Sequence, residues 1–240
     1  MASKKWLSLV KGLHQKKYRN QHQLFFIEGP KAVSELVAEG LAPEKIFVTP
    51  KQESLFPLPQ TELLSEQELE KISALQHPNG ILGVFPMPQS TAITTNNWVV
   101  ALDDVRDPGN LGTIIRLCDW FGVKDLVCSK TTVDCFNPKV LQATMGSIAR
   151  VNIIYTSLES YLEQLDLAVY GATMAGVTVY ETALPSSGVL LLGNEANGIS
   201  RSLASSLHQK IAIPQFGPTT AESLNVAMAA GILLSEIRRR

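Results

Sequence analysis

The chain has 240 residues, of which 45% are hydrophobic and 18% charged, and its formal net charge at pH 7 is −1. This length can bury one large core or two smaller ones, and the near-zero charge excludes a protein that is basic over its whole surface. Basic residues are nevertheless concentrated at the amino terminus, where residues 1–31 hold seven lysines and arginines but one acid, Glu28. Charge alone leaves two interpretations open, a local patch that guides a polyanion or a solvated, partly disordered segment.

Cysteine and histidine spacing argues against disulfides and metal ions. The three cysteines form no C-x-x-C pair and are too few for a disulfide framework, and the four histidines lack the spacing of metal ligands. The apolar run after Lys5 ends at Lys11, which is too short for a signal peptide, and no run approaches the roughly 20 residues of a membrane span. We therefore expect a cytoplasmic protein with no metal and no membrane partner.

The first third of the chain predicts a small α/β domain. A helix with a capping box, formed by Ser65 and Glu68, is expected in its second half. The predicted strands and helices of this part, in chain order, are strand 24–27, helix 29–39, strand 45–49, helix 65–73 and strand 81–85. The uncharged stretch that follows is typical of a linker, so we place a first domain at residues 1–88 and a linker at 89–97.

The remaining chain predicts a second α/β domain at residues 98–240. Its strands are expected at 98–102, 125–128, 151–154, 167–172, 189–192 and 210–213. Helical segments separate several of them, with one near 111–121 and a last one at 222–240. Strands that alternate with helices indicate a parallel sheet covered on both faces.

The first candidate site follows the strand at 98–102. Residues 107–110 (Asp-Pro-Gly-Asn) are a turn sequence, and Asn110 is a plausible N-cap of the next helix. Arg116 then lies in the second turn among apolar residues, where a guanidinium needs a partner. That partner is either the phosphate of a ligand or a carboxylate in a structural ion pair, for which the candidates are Asp103, Asp104 and Asp119.

The second candidate site follows the apolar strand at 189–192. Residues 193–198 (Gly-Asn-Glu-Ala-Asn-Gly) place Asn194 and Glu195 at the carboxyl end of this strand. Open α/β sheets bind their ligands at that edge, although a plain glycine and asparagine turn is an equally good interpretation of these six residues.

The third candidate site precedes the last helix. Ser223 and Asn225 fall at the predicted start of that helix, where free amide groups and the helix dipole favour an anion. Simple capping is the more economical interpretation of this fragment when it is taken alone.

Together, the three fragments resemble, in order and spacing, the three motifs of the SpoU/TrmH family of RNA ribose 2′-O-methyltransferases. The resemblance extends over nearly the whole chain, because residues from Lys16 to about Phe85 are similar to the RNA-binding domain of ribosomal-protein type that precedes the catalytic domain in many members. It implies a SPOUT-like α/β fold with a deep trefoil knot in the parallel-sheet domain. It also implies a homodimer and S-adenosylmethionine held in a bent pose within the knot.

The resemblance assigns roles to particular positions. The backbone positions that would hold the methyl donor are Gly193, Ile213 and Leu224, to which we add Asn194 and, as a looser match, Thr173. The polar motif positions that would serve catalysis are Asn110, Arg116, Glu195, Ser223 and Asn225. The RNA contacts expected from the basic segment and the first motif are Lys16, Lys17, Arg19 and Arg116. Arg116 could act as the base for the 2′-hydroxyl or as a clamp on a substrate phosphate, and the sequence leaves this open because arginine is almost always protonated.

The expected function is therefore methyl transfer from S-adenosylmethionine to a ribose 2′-hydroxyl of RNA, with ribosomal RNA favoured over transfer RNA. A non-catalytic RNA-binding protein on the same scaffold is the alternative, and a small-molecule enzyme on a flavodoxin-like sheet is a third possibility. Three departures from the family pattern bear on this choice. They are a loop at 215–221 about two residues longer than usual, Gln142 where many members have Arg, and Asn79 in place of a common Gln.

Overall fold

The computed structural model describes residues 4–93, 95–217 and 223–239. The chain divides into two compact units. The first comprises Met1–Gln89 together with Asp134–Ala149, and the second comprises Ser90–Val133 together with Arg150–Arg240. Residues 134–149 thus belong with the amino-terminal residues in space, although they come much later in the sequence.

The first unit is built on a mixed four-stranded sheet. Its elements before residue 89 are α1 (Lys4–Leu13), α2 (Lys16–His22), β1 (Leu24–Glu28), α3 (Pro30–Ala38), β2 (Lys45–Val48), a 3-10 helix (Pro50–Leu55), β3 (Thr61–Leu63), α4 (Glu66–Glu70) and β4 (Ile81–Pro86). The strand order is β1-β4-β2-β3. β4 is antiparallel to both of its neighbours, and β2 and β3 are parallel.

The amino-terminal basic segment forms two helices, α1 and α2, which favours the ordered interpretation of its charge. α1 is amphipathic: Val10 and Leu13 are fully buried in the core of the first unit, with Trp6 and Leu7 packed at its margin. Removal of such side chains from water holds the helix on the sheet at about 25 cal/mol for each Å² of apolar surface. The lysines of α1 consequently face solvent.

The predicted elements of the first unit are confirmed with small shifts in their ends. The capping box is present, since the Ser65 hydroxyl accepts from the Glu68 amide at 3.3 Å and the Ser65 amide donates to the Glu68 carboxylate at 3.0 Å. The helix it begins is shorter than predicted and ends at Glu70 rather than at residue 73.

The second unit contains a six-stranded parallel sheet, as predicted. Its elements are β5 (Trp98–Leu102), α5 (Pro108–Trp120), β6 (Asp125–Ser129), β7 (Asn152–Thr156), α7 (Leu158–Gln164), β8 (Val169–Thr178), β9 (Gly188–Leu192), a 3-10 helix (Arg201–Ser206), β10 (Gln209–Ala212) and α8 (Val226–Arg238). Helix α6 (Pro138–Thr144) and a 3-10 turn (Ser147–Ala149) lie between β6 and β7 in the chain but belong to the first unit. All six strands were expected from the sequence, although β8 continues six residues beyond its predicted end.

The sheet order β10-β8-β9-β5-β6-β7 places β5 and β9 at the centre. Both strands are buried along their whole length, which explains their continuous apolar sequences. The chain leaves β5 toward β6 and β7 on one side, whereas β9 and β8 lie on the other. The order therefore reverses between β5 and β9, and the carboxyl ends at such a switch point form the crevice in which open α/β sheets bind ligands. In the described part of the chain no helix is long and apolar enough to cross a membrane.

Candidate active site

Three loops meet at the carboxyl edge of the large sheet. β5 and β9 pair in register up to Leu102 and Leu192, so the first and second candidate sites leave the sheet at the same level. The third lies between β10 and α8, and residues 218–222 of it are outside the described residues. Parallel pairing thus brings together the first and second fragments, whose residues Asn110 and Glu195 are 85 residues apart in the chain.

The cap of α5 differs from the sequence expectation. Asp107, rather than Asn110, is the N-cap, and its carboxylate accepts a hydrogen bond of 2.8 Å from the Asn110 amide. Pro108 occupies the first helical position, where a missing N–H costs nothing. The prediction that Asn110 caps this helix is therefore wrong, because an aspartate three residues earlier already does so. The Asn110 side chain is left available for other contacts.

A chain of hydrogen bonds joins the three motifs through this side chain. Asn110 donates from Nδ2 to Glu195 Oε1 at 2.7 Å, and its Oδ1 accepts from Asn225 Nδ2 at 2.8 Å. The side-chain amide of Asn110 is thus used once as donor and once as acceptor, which fixes its orientation. Glu195, Asn110 and Asn225 therefore form one polar network at the carboxyl edge of the sheet.

Asn225 has two functions in this network. Its Oδ1 accepts from the amides of Ala227 and Met228 at 3.0 and 3.2 Å, so it is the N-cap of α8. The capping interpretation of this fragment is confirmed, and the same residue also holds Asn110. Ser223 lies two residues before the cap and is exposed.

The loop after β9 is closed on itself. Asn194 and Gly198 exchange two backbone hydrogen bonds of 3.0 and 2.8 Å, and the Asn194 side chain accepts from the amides of Ala196 and Asn197. Gly193 permits this closure, since a Cβ at that position would lie 2.2 Å from the carbonyl carbon of Gly198. Only glycine can occupy this position without displacing the loop.

Beside the network lies a cavity of about 650 Å³, a volume typical of sites for cofactors and small molecules. Its wall comes from the loops of the second and third motifs, from the middle of β8 and from α8. The sequence-predicted residues that line it are Thr173, Gly193, Asn194, Glu195, Ile213, Ser223 and Leu224. The side-chain oxygen of Thr173 is buried and has no hydrogen-bond partner among the described residues. A buried hydroxyl without a partner is costly, which suits a wall that receives a polar ligand.

Arg116 lies on the exposed face of α5 and is not among the residues that line the cavity. Within the described parts of the chain it forms no hydrogen bond and no ion pair. The three aspartates considered as its structural partners are engaged elsewhere. Asp103 accepts from Ser200, Asp104 pairs with Arg106 at 2.9 Å, and Asp119 pairs with Arg150 at 2.7 Å. The expected ion pair between Arg116 and one of these aspartates is therefore wrong.

Two groups on the first loop and α5 have shifted pKa values, each because of its immediate surroundings. The Arg106 guanidinium donates to Asp104 and lowers the pKa of that carboxyl below its usual value. Burial raises the pKa of the Cys118 thiol on α5 to about 12, so this cysteine is not a nucleophile at neutral pH. Among the described residues no group of three or more His, Cys, Asp or Glu side chains could hold a metal ion.

The predicted RNA contacts in the first unit differ from one another. Lys16 and Lys17 are exposed on α2. Arg19, in contrast, is 2% exposed, donates to the carbonyls of Leu13 and His14 at 2.8 and 3.0 Å, and pairs with Asp134 at 2.5 Å. Its expected place on the RNA-facing surface is wrong, since its guanidinium is used to hold α1, α2 and residue 134 together.

Two polar residues of the loop cluster were not predicted from the sequence as residues of the site. Asp103 and Ser200 are hydrogen-bonded to each other across the base of the second motif. The available signal was the position of Asp103 directly after a buried strand, at the sheet edge where ligands bind. Without the register of β5 and β9, nothing in the sequence links it to Ser200.

Comparison with known proteins agrees with this geometry. Residues 97–235 match the SpoU rRNA Methylase family, and residues 7–83 match the MRM3-like substrate binding domain. Among curated proteins, the chain is 34% identical over 237 residues to the 23S rRNA (guanosine(2553)-2′-O)-methyltransferase RlmP of Bacillus subtilis, which covers 95% of this chain and 94% of that protein.

Solved structures with the same fold include a TrmH-family protein from Porphyromonas gingivalis, with a TM-score of 0.91 and 34% identity over 100% of this chain and 99% of the other. An AdoMet-bound rRNA methyltransferase from Sinorhizobium meliloti superposes with a TM-score of 0.88 and 30% identity, over 100% of this chain and 97% of the other. Both similarities span the two units of the chain.

Proposed function

The chain belongs to the SpoU family of rRNA methylases, and we propose that it transfers a methyl group from S-adenosylmethionine to a ribose 2′-hydroxyl of ribosomal RNA. The observation that carries this proposal is the hydrogen-bonded network of Glu195, Asn110 and Asn225 beside the cavity. One residue comes from each family motif, and the fold brings the three together. The preference for ribosomal RNA rests on the names of the relatives, among them a 23S rRNA methyltransferase with which the chain aligns over most of its length.

The cavity fits the proposed methyl donor. S-adenosylmethionine, when bound, supplies a methyl group on a positively charged sulfur. The unpartnered hydroxyl of Thr173 offers a polar contact, and the glycine at position 193 lets the loop that forms part of the wall close on itself, since a side chain there would collide with Gly198. We propose that Gly193, Ile213 and Leu224 hold the donor with their backbone groups, and that Asn194 keeps the loop in place.

The transfer itself requires a positioned 2′-oxygen, whose lone pair forms the new bond to the methyl carbon as the bond to sulfur breaks. The hydroxyl proton must leave in the same step or before it. We propose that Arg116 clamps a phosphate next to the reacting ribose, because its exposed guanidinium presents a fork of N–H donors that matches phosphate. The proton then passes to water. The network of Asn110 and Asn225 holds Glu195 beside the cavity, so most of the rate enhancement comes from positioning.

Three further features belong to the proposal. A deep trefoil knot in residues 98–240 is supported by the similarity to SpoU-family structures and by the close approach of β8 and β10 at Gly176, where a Cβ would lie 2.7 Å from the carbonyl of Lys210. A homodimer is supported by two large apolar side chains that are exposed to solvent. They are Trp120 on α5 and Met228 on α8, at 83% and 64% exposed.

We also propose a substrate-binding domain at residues 1–88, a linker at 89–97 and a cytoplasmic location for the protein.

A methyl-transfer assay with labelled S-adenosylmethionine tests the proposal. Unmodified transcripts of 23S rRNA, 16S rRNA and a tRNA pool would be offered separately to the purified protein, with Asn110→Ala as a matched variant that lacks both network bonds. We expect label in the 23S transcript at a ribose, detected as a 2′-O-methylnucleoside, and much less with the variant. Label in tRNA alone would refute the rRNA preference. Binding of both the donor and RNA without transfer to any transcript would support the non-catalytic alternative.

A further inference from the structure

Asp103 is bonded to both ends of the loop that carries the second motif. Its backbone N–H donates to the Leu192 carbonyl at 2.9 Å, immediately before the loop begins. Its carboxylate Oδ2 accepts from the Ser200 amide at 2.7 Å and from the Ser200 hydroxyl at 2.6 Å, immediately after the loop ends. Asp103, the residue directly after β5, thus closes the base of the loop that follows β9.

The use of the Ser200 hydroxyl supports a dedicated role for this contact. Ser200 is the N-cap of the 3-10 helix Arg201–Ser206, yet its side chain makes no capping hydrogen bond. A serine at such a position ordinarily accepts from an amide within the helix. Here the hydroxyl donates to Asp103 instead, so the capping group has been turned toward the loop base. Hydrogen bonds to a carboxylate are stronger than neutral ones, and Asp103 is only 7% exposed.

The neighbouring residue holds the same loop at a second point. Asp104 adopts a left-handed backbone conformation with φ of 58°, and its carbonyl accepts from Asn194 Nδ2 at 2.9 Å. Asn194 in turn organises the loop amides, as described above. The two aspartates therefore fix the loop at its base and on its flank, while Glu195 at its tip is held by Asn110 at 2.7 Å.

From these contacts we infer that Asp103 is a positioning residue, which sets the geometry of the loop that carries Gly193, Asn194 and Glu195 and thereby controls affinity for the methyl donor. The inference rests on the proposed function of the cavity. Asp103 does not line the cavity, so it acts through the loop alone. If the donor binds the ordered loop, its apparent affinity falls in proportion to the fraction of molecules in which the loop is ordered, which gives this distant contact a measurable effect.

The matched control is Asp125, which is buried to a similar degree, at 4% exposed. It accepts from Asn152 Nδ2 at 2.7 Å and lies at the first residue of β6, at the opposite end of the same parallel sheet. Asp125→Ala should therefore reproduce the loss of a buried, hydrogen-bonded carboxylate without disturbing the loop.

The test combines two measurements on the wild-type protein and on Asp103→Ala, Asp103→Asn, Ser200→Ala and Asp125→Ala. The first is amide hydrogen exchange of the peptide that spans residues 192–200, without the donor. The second is calorimetric titration with S-adenosylmethionine. For Asp103→Ala we expect faster exchange in this peptide and a dissociation constant raised by about 10-fold or more. Ser200→Ala, which keeps the amide bond, should show a smaller change, and Asp103→Asn should restore most of the affinity because its carbonyl can still accept both bonds.

Asp125→Ala should lower the melting temperature but leave both the exchange of residues 192–200 and the donor affinity unchanged. The inference is overturned if Asp103→Ala and Asp125→Ala have the same effect on donor affinity, or if Asp103→Ala melts earlier without faster exchange in the loop. If the wild-type protein itself binds no S-adenosylmethionine, the proposed function of the cavity fails. The exchange data still decide whether Asp103 holds the loop.

Discussion

The paired helices at the amino terminus and the loop cluster at the carboxyl edge of the large sheet each contain an arginine that the sequence marks as an RNA contact. Arg19 in the first region is buried and bound to Asp134, whereas Arg116 in the second is exposed and forms no ion pair within the described residues. A concentration of positive charge identifies a basic segment but not which of its side chains are available. A motif fixes the place of each residue relative to a strand end, and this makes its prediction more specific.

Among the variants that test this comparison of the two arginines, Arg19→Ala should have the largest effect, which is a loss of stability. This variant leaves Asp134 mostly buried without its partner, and loss of one member of a buried pair costs about 3–5 kcal/mol in the free energy of unfolding. Urea denaturation measures it. The double variant Arg19→Ala/Asp134→Ala should be less destabilised than Arg19→Ala, since no uncompensated charge remains. A variant as stable as the wild-type protein but weaker in RNA binding would restore Arg19 to the RNA surface.

Arg116 should show the opposite pattern. Arg116→Ala is expected to unfold like the wild-type protein, because no described residue loses a bond. It should reduce kcat/KM for RNA by about 100-fold, because charge-assisted hydrogen bonds to a substrate phosphate are lost. Arg116→Lys keeps the charge but loses the fork and should recover only part of the activity.

Single-turnover rates at saturating RNA separate the two proposed roles of Arg116. A phosphate clamp predicts that RNA affinity falls while the saturated rate is nearly unchanged. A fall in the saturated rate at unchanged RNA affinity would contradict the clamp and favour a role as base.

A smaller effect is expected for Lys17, which is exposed on α2. If it contacts a phosphate, Lys17→Ala should weaken RNA binding several-fold and reduce the slope of log affinity against log salt concentration by about 1. Lys45→Ala is the control, because Lys45 is already paired with Glu62 at 2.6 Å. Equal salt slopes for Lys17→Ala and the wild-type protein would show that the basic segment is a solvated face.

The sequence was sufficient for the strands of the large sheet and for the approximate place of the motifs, because buried parallel strands have continuous apolar sequences with polar residues at their carboxyl ends. It was insufficient wherever a contact depends on register between distant segments. The link between Asp103 and Ser200 spans 97 residues, and that between Arg19 and Asp134 spans 115. The cap of α5 was misassigned for a local reason, since both Asp107 and Asn110 are good capping residues and only the backbone geometry distinguishes them.

The smallest predicted effect concerns Glu28 at the end of β1. Its carboxylate accepts from the Ala74 amide at 2.8 Å and from the Ser73 hydroxyl, yet burial dominates and raises its pKa above the usual 4.5. The folded protein therefore binds a proton more readily than the unfolded chain. Stability should fall as pH rises from about 4.5 through the raised pKa of the folded state, because the unfolded state then holds fewer protons.

The substitution Glu28→Gln removes this titration and should flatten the pH dependence of stability in that window. The measurement is the free energy of unfolding in urea between about pH 4 and about pH 7, which begins just below the usual pKa of a glutamate. Glu53→Gln, at an exposed position, controls for the loss of one negative charge. An unchanged slope in Glu28→Gln would mean that the hydrogen bonds from Ser73 and Ala74 offset the cost of burial. In that case Glu28 would be ionised and would hold the segment before β4 through its hydrogen bonds with Ser73 and Ala74. Each of the two units would then contain a carboxylate that fixes a loop, Glu28 in the first and Asp103 in the second.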